Sequence, residues 1–101
     1  MFAFKLWADW LKSKAAEVSD ERLTCTYRDT IGIPECALNP AFSIEVWSPE
    51  RMGRLSFWRG GTCDYEVLLI STGDYVANEA GLVANDATVE VLVARYLSLF
   101  R

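Results

Sequence analysis

Hydrophobic residues along this chain follow a helical spacing at both ends and a strand-like spacing between them. Over residues 2–19 they recur every three or four positions, which predicts an amphipathic helix. A second stripe of the same kind, over residues 89–100, predicts a closing helix that Asn85 or Asp86 can cap. The first stripe would also suit a helix on a membrane surface or a partner, but the strand-rich sequence after it favours packing on a sheet.

Between these helices the apolar positions alternate, and turn residues divide the segment into about five strands. We predict strands over residues 23–28, 42–47, 53–58, 62–70 and 75–79. The Ser-Pro-Glu-Arg sequence at 48–51 is typical of a type I turn, because proline fits its second position. Gly-Gly at 60–61 and Thr-Gly-Asp at 72–74 supply two more turns. Residues 29–40 form a longer connection whose path the pattern leaves undefined.

Short connections between successive strands force antiparallel neighbours, so the chain is predicted to have an α+β fold. We expect two layers, an antiparallel meander of about five strands and the N-terminal and C-terminal helices packed on one face of it. The core face of the sheet then consists of Phe42, Ile44, Val46, Leu55, Phe57, Tyr65 and Val67. With 101 residues, 51% of them hydrophobic, the chain suits a single domain over 1–101.

The other face of the sheet is left for water or a partner if both helices cover the core face. Alternation places on it two tryptophans and four charged residues, namely Glu45, Trp47, Arg54, Trp58, Asp64 and Glu66. Large rings gain contact area at little entropic cost and charges fix orientation, so this composition indicates a recognition surface. In a purely structural alternative, Trp47 and Trp58 form a cross-strand pair and Arg54 pairs with Asp64 or Glu66.

Composition and charge narrow the classes of function. Ten Lys and Arg against 14 Asp and Glu give a net charge of −4, which disfavours nucleic acid as a partner. No apolar run approaches the ~20 residues of a membrane span, and the N-terminal segment has no signal-peptide cleavage site. Three cysteines without a CxxC pair indicate reduced thiols and no zinc site. We therefore expect a cytoplasmic protein that binds neither nucleic acid nor membrane.

The residues offer little for catalysis. Histidine is absent, which removes the commonest general base and metal ligand. Asp64 and Glu66 could act as an acid and base only if a pocket desolvated one of them, and an open sheet face offers none. Cys63 falls on the core face and has no histidine to activate it. The sequence thus favours a binding protein without enzymatic activity, cofactor or metal, and leaves these three residues as the only catalytic candidates.

The segment 44–82 carries a resemblance to a known family. The residues that carry it are Gly53-Arg54, Trp58, Gly61, Cys63-Asp64, Glu66-Val67, Thr72-Gly73 and Val76. In this spacing they resemble the TriTu family of immunity proteins, although Arg59 and Gly60 depart from its pattern. The resemblance implies a bacterial antidote to an ADP-ribosyltransferase toxin that is delivered between competing cells by type VI secretion and modifies elongation factor Tu.

The resemblance also implies a mode of action. An antidote of this kind would form a 1:1 complex with its toxin and occlude the active site, whose basic groups hold a dinucleotide phosphate. The residues expected to bind the partner are Glu45, Trp47, Glu50, Arg54, Trp58, Asp64 and Glu66. The alternative is a non-catalytic adaptor or a structural domain that self-associates, for example through a sheet edge.

Overall fold

A computed structural model describes residues 1–101 of the chain. In chain order the elements are α1 (Phe4–Val18), β1 (Thr24–Asp29), a short 3-10 helix (Pro34–Cys36), β2 (Ala41–Trp47), β3 (Arg51–Trp58), β4 (Thr62–Leu69), β5 (Tyr75–Val83) and α2 (Val89–Ser98). The strands form one antiparallel sheet in the order β1-β2-β3-β4-β5. The predicted α+β meander with a helix at each end is therefore confirmed. Neither helix has the length and apolar character that crossing a bilayer requires.

One face of the sheet and the inner sides of both helices share a single core of 18 buried residues. The alternation predicted this face well. Phe42, Ile44, Val46, Leu55, Phe57 and Val67 are all buried, whereas Tyr65 is only partly so. Aromatic rings continue from the sheet into the N-terminal segment, because Phe2 stacks on Phe42 and Phe57 at ring-centroid distances of 6.3 and 6.1 Å. Both helices thus lie on the same side, and the opposite side of the sheet has no helix on it.

Strand β5 is longer than its predicted range. The predicted strand ends at Glu79, but β5 continues to Val83, which pairs with Thr62. Gly81 adopts a φ of 70° within a register shift between β4 and β5, a conformation that favours glycine. The Asp64 carboxylate accepts a hydrogen bond from the Gly81 N–H at 2.8 Å. A bulge that a carboxylate supports therefore replaces the predicted end of the strand.

A close approach between helix and sheet involves Tyr96 of α2 and Gly53 of β3. Tyr96 is buried, and its hydroxyl donates a hydrogen bond to the Glu66 backbone carbonyl at 3.3 Å. Burial raises the pKa of this hydroxyl. A Cβ atom on Gly53 would overlap the Glu66 carbonyl oxygen and lie 2.7 Å from the Tyr96 hydroxyl. The centre of the sheet can accept this tyrosine only because position 53 lacks a side chain.

Asp86 caps the first helix rather than the second. The prediction that Asn85 or Asp86 caps α2 is wrong, since α2 begins after Thr88 with no side-chain cap. Asp86 Oδ1 instead accepts hydrogen bonds from the Ala3 N–H and the Trp7 Nε1–H, each at 2.8 Å. The first turn of α1 has no acidic residue of its own, so Asp86 also supplies the negative charge that a helix N-terminus favours. This contact joins the N-terminal segment to the connection between β5 and α2.

We expect Gly53→Ala to destabilise the fold strongly, because the added methyl group must displace either the β4 backbone or Tyr96. Overpacking of this kind costs about 1–3 kcal/mol, and rigid backbone on one side places this site at or above the upper end. Urea unfolding measures the change. Gly60→Ala is the matched control, since its Cβ meets no atom within 4 Å, and it should stay within about 0.5 kcal/mol of the parent. Equal stability of the two variants would contradict the packing described.

We also expect Asp86 to make stability sensitive to acid. The hydrogen bonds from Ala3 and Trp7 hold the pKa of its carboxyl below the ordinary value. Its contribution is therefore complete above the ordinary Asp pKa of about 4 and is lost as the pH falls through the lower folded value. Between pH 7 and pH 3, the urea midpoint of the parent should fall further than that of Asp86→Asn, whose amide oxygen accepts both bonds without titrating. An equal fall in the two proteins would count against this role.

Candidate functional site

The side of the sheet without helices, here called the open face, presents its side chains in rows that cross the strands. The register of the four strand pairs fixes which residues share a row. One row, the charged row, consists of Glu45, Arg54, Glu66 and Asn78. A neighbouring row, the apolar row, consists of Trp47, Met52, Leu68 and Tyr75. Charged and apolar side chains thus lie next to each other on one surface.

Within the charged row Glu45 and Glu66 flank Arg54, but only one of them binds it. Arg54 Nη2 lies 2.8 Å from Glu45 Oε1, and Arg28 Nε lies 3.4 Å from the same oxygen. The structural alternative, in which Arg54 pairs with Asp64 or Glu66, is therefore wrong. The Glu66 carboxylate has no hydrogen bond or ion pair, so its charge remains available to a partner. Exposed pairs such as Arg54–Glu45 contribute only ~0–1 kcal/mol to stability.

The two tryptophans lie at opposite ends of the β2–β3 hairpin. The two-residue turn after Ser48 places Trp47 opposite Met52, while Trp58 lies opposite Ala41. Six strand positions, or about 20 Å, separate the two tryptophans along the strand direction. The cross-strand tryptophan pair that the sequence allowed is therefore wrong. Since the rings do not stabilise each other, each presents a separate apolar contact on the open face.

Four of the seven predicted binding residues line one shallow depression of about 240 Å³ on the open face. They are Arg54, Trp58, Asp64 and Glu66, with Ser56, Tyr65, Asn78, Glu79 and Ala80 completing the lining. Glu45 adjoins this depression through its ion pair with Arg54. One oxygen of Asp64 already holds the Gly81 N–H, so this carboxylate serves the sheet as well as the surface.

The other two predicted residues lie outside that depression. Trp47 belongs to the apolar row and is 43% exposed. Glu50 lies in the β2–β3 turn and lines a separate cavity of about 560 Å³ near the end of α2, together with Arg22, Arg51 and Arg101. In that cavity Arg51 donates a hydrogen bond to the Leu99 carbonyl. The structure thus brings six of the seven residues onto the open face and leaves Glu50 at its end.

The sequence reasoning missed Met52, Leu68 and Tyr75, which complete the apolar row. Their positions could have been found by counting residues outward from the short turns at 49–50 and 70–74, because each turn fixes which residues stand opposite each other. It also missed how unevenly charge is distributed. Residues 60–94 contain six acidic residues and no Lys or Arg, so the entire net charge of −4 arises from the part of the chain that begins with β4.

The groups that could perform chemistry are few. Cys25 and Cys63 are buried, and burial raises the pKa of these thiols to about 11 and about 12 respectively. Both thiols therefore remain protonated, and thus weakly nucleophilic, at neutral pH. The predicted core position of Cys63 is confirmed. No three His, Cys, Asp or Glu side chains are grouped closely enough to hold a metal ion. What the open face offers is contact area, aromatic rings and charge.

Comparison with known proteins gives one clear finding. A family model described as "Immunity protein TriTu" matches residues 5–99. The match extends from α1 to the end of α2 and therefore includes every strand of the sheet. No curated protein matches the chain.

Proposed function

Because this chain belongs to the TriTu family of immunity proteins, we propose that it binds a cognate ADP-ribosyltransferase toxin through the open face and occludes the active site of that toxin. An immunity protein has a cognate toxin as its partner. The finer statements follow from the resemblance of residues 44–82. By this resemblance, the toxin modifies elongation factor Tu and is delivered between competing bacteria by type VI secretion. The immunity protein would then form a 1:1 complex with it in the cytoplasm.

The observation that carries this proposal is the open face itself. Both helices pack on the opposite side of the sheet, so Trp47, Arg54, Trp58 and Glu66 make no contribution to the core. Stable interfaces usually bury about 800 Å² on each partner and concentrate their affinity in a few aromatic and arginine side chains. A sheet face that carries two tryptophans and an arginine fits that pattern.

The charges on the open face indicate which groups of the toxin it would contact. Enzymes that bind a dinucleotide phosphate hold it with basic groups, and a carboxylate can complement the same groups. Glu66 suits this role best, because its carboxylate has no partner within the protein. Glu45 is less available, since Arg28 and Arg54 both contact it. Asp74 and Glu79 extend the negative potential beyond Glu66 toward the β5 edge.

Binding accounts for these features better than catalysis does. The open face has a shallow depression rather than an enclosed pocket, so none of its carboxylates is strongly desolvated. The two buried thiols are protonated at neutral pH and lie on the core side. These observations support inhibition by occupancy of the toxin.

The sheet edges bear on the alternative of self-association. At the β1 edge the Ser19 hydroxyl accepts a hydrogen bond from the Cys25 N–H at 3.1 Å and lies 3.2 Å from the Cys25 carbonyl oxygen. At the other edge, β5 contains two register shifts, which interrupt a regular row of backbone groups. Such features oppose pairing between the edges of two sheets. They favour a contact through the face.

We expect Glu66→Lys to weaken binding of the toxin at least tenfold, because it replaces an unpaired carboxylate with a charge that repels basic groups. Most of the loss should appear in the association rate at low salt. The probe is the cognate toxin domain, prepared as an inactive variant, and the assays are surface plasmon resonance and survival of cells that express the active toxin. Glu17→Lys, an equally large charge change on exposed α1, is the matched control and should retain parental affinity.

Asp64 is a poor choice for such a charge reversal, because losing its bond to Gly81 would disturb β5 itself. Parent protein that neither binds the toxin nor protects cells would refute the proposed function. Parent protein that protects, with Glu66→Lys and Glu17→Lys equally effective, would instead move the interface away from the open face.

A further inference from the structure

We infer that the apolar row, Trp47, Met52, Leu68 and Tyr75, is the energetic anchor of the interface and docks on a nonpolar patch of the toxin that basic residues border. This inference rests on the proposed function and deepens it. It places most of the binding affinity at one end of the open face and specifies the kind of toxin surface that this end contacts. Of the four residues, only Trp47 is among the partner-binding residues predicted from the sequence.

The geometry of the row makes it one continuous feature. Trp47 stands opposite Met52, Met52 opposite Leu68, and Leu68 opposite Tyr75. Neighbouring strands lie about 4.8 Å apart, so the row crosses four strands over about 14 Å. Side chains opposite each other on one face of a sheet are in contact range. Four large apolar side chains therefore form a strip rather than scattered exposed residues.

The strip is not part of the core cluster. Its two ends are well exposed, with 43% of Trp47 and 58% of Tyr75 accessible to solvent. Ile70 and Val76, which follow Leu69 and Tyr75 in the chain, are also exposed large apolar residues. The core on the other side of the sheet is already filled by both helices. Contiguous exposed apolar surface of this kind is uncommon on proteins that act alone and marks sites of association.

The surroundings of the strip define the chemistry of its partner. On the same face the next row contains Glu66, whose carboxylate is unpaired, and Asp74 directly precedes Tyr75 in the chain. No Lys or Arg occurs anywhere in residues 60–94. A partner that covers the strip must therefore meet negative charge on the β4–β5 side. An apolar patch with Lys or Arg at its border satisfies both conditions.

A second copy of this chain fits less well. Each copy carries a net charge of −4, and residues 60–101, which include the β4 and β5 parts of the strip, account for all of it. Two such surfaces brought together add like charges, which costs free energy unless opposite charges intervene. The strip is thus better matched to a basic protein than to itself.

The test compares Trp47→Thr and Tyr75→Thr with Leu6→Ala and Val91→Ala. Threonine retains strand propensity, so the first pair should fold. The control residues are similarly exposed, at 67% and 54%, but lie on the helices. With the inactive toxin domain as the probe, we expect each threonine variant to lose at least tenfold in affinity, mainly through faster dissociation, and the controls to match the parent. Unfolding in urea and sedimentation of each protein alone complete the experiment.

The possible outcomes separate this inference from the proposed function. Threonine variants that fold and bind as tightly as the parent overturn the anchor but leave toxin binding in place. Parent protein with no affinity for the toxin overturns both. If the parent alone is a dimer that the threonine substitutions dissociate, the strip is covered by a second copy, and the inference is wrong. Loss of affinity confined to the threonine variants, in monomeric and folded protein, supports it.

Discussion

The contact on which the rest of this structure depends is that of Tyr96 with the backbone of the central strands. Its ring enters the core above Gly53, and its hydroxyl bonds the Glu66 carbonyl, so α2 is fixed over the middle of the sheet. Helix α1, whose N-terminus Asp86 caps, packs beside α2, and together the two helices cover one face of the sheet. The other face needs no protection from its own chain, because the core is already complete. Its side chains are consequently free to serve a partner, and Gly53 is the position that makes this division possible.

The open face separates two kinds of contribution to binding. Charged residues around Glu66 act at a distance, and their effect is expected mainly in the rate and orientation of encounter. In the proposed complex the apolar row acts only on contact, where removal of water from Trp47 and Tyr75 is expected to stabilise the complex and slow its dissociation. Neither contribution requires a reactive group. Inhibition of the proposed kind can therefore be carried out by a chain of 101 residues that leaves one face of its sheet uncovered.

Much of this arrangement follows from local rules in the sequence. Alternation identified the buried Phe42, Ile44 and Leu55, and short turns imposed the meander. The remainder depends on contacts between distant parts of the chain. Asp86 is a residue type that commonly caps the helix following it, but here its carboxylate accepts a hydrogen bond from the Ala3 N–H, 83 positions away. Arg54 has acidic neighbours on both adjacent strands, and only side-chain geometry selects Glu45. Which residues share a row was accessible by counting from the turns. Which of them remain unpaired was not, because that depends on the conformation of each side chain.

The position of the four tryptophans allows a direct test of the central claim that the open face meets the toxin. Trp7 and Trp10 lie in α1 on the helix side, whereas Trp47 and Trp58 lie on the strands of the open face. Each indole N–H gives its own signal in a nitrogen-15 NMR spectrum of the labelled protein. On addition of the inactive toxin domain, we expect large changes for Trp47 and Trp58 and little change for Trp7 and Trp10. Changes confined to Trp7 and Trp10, with the other two signals unmoved, would contradict it.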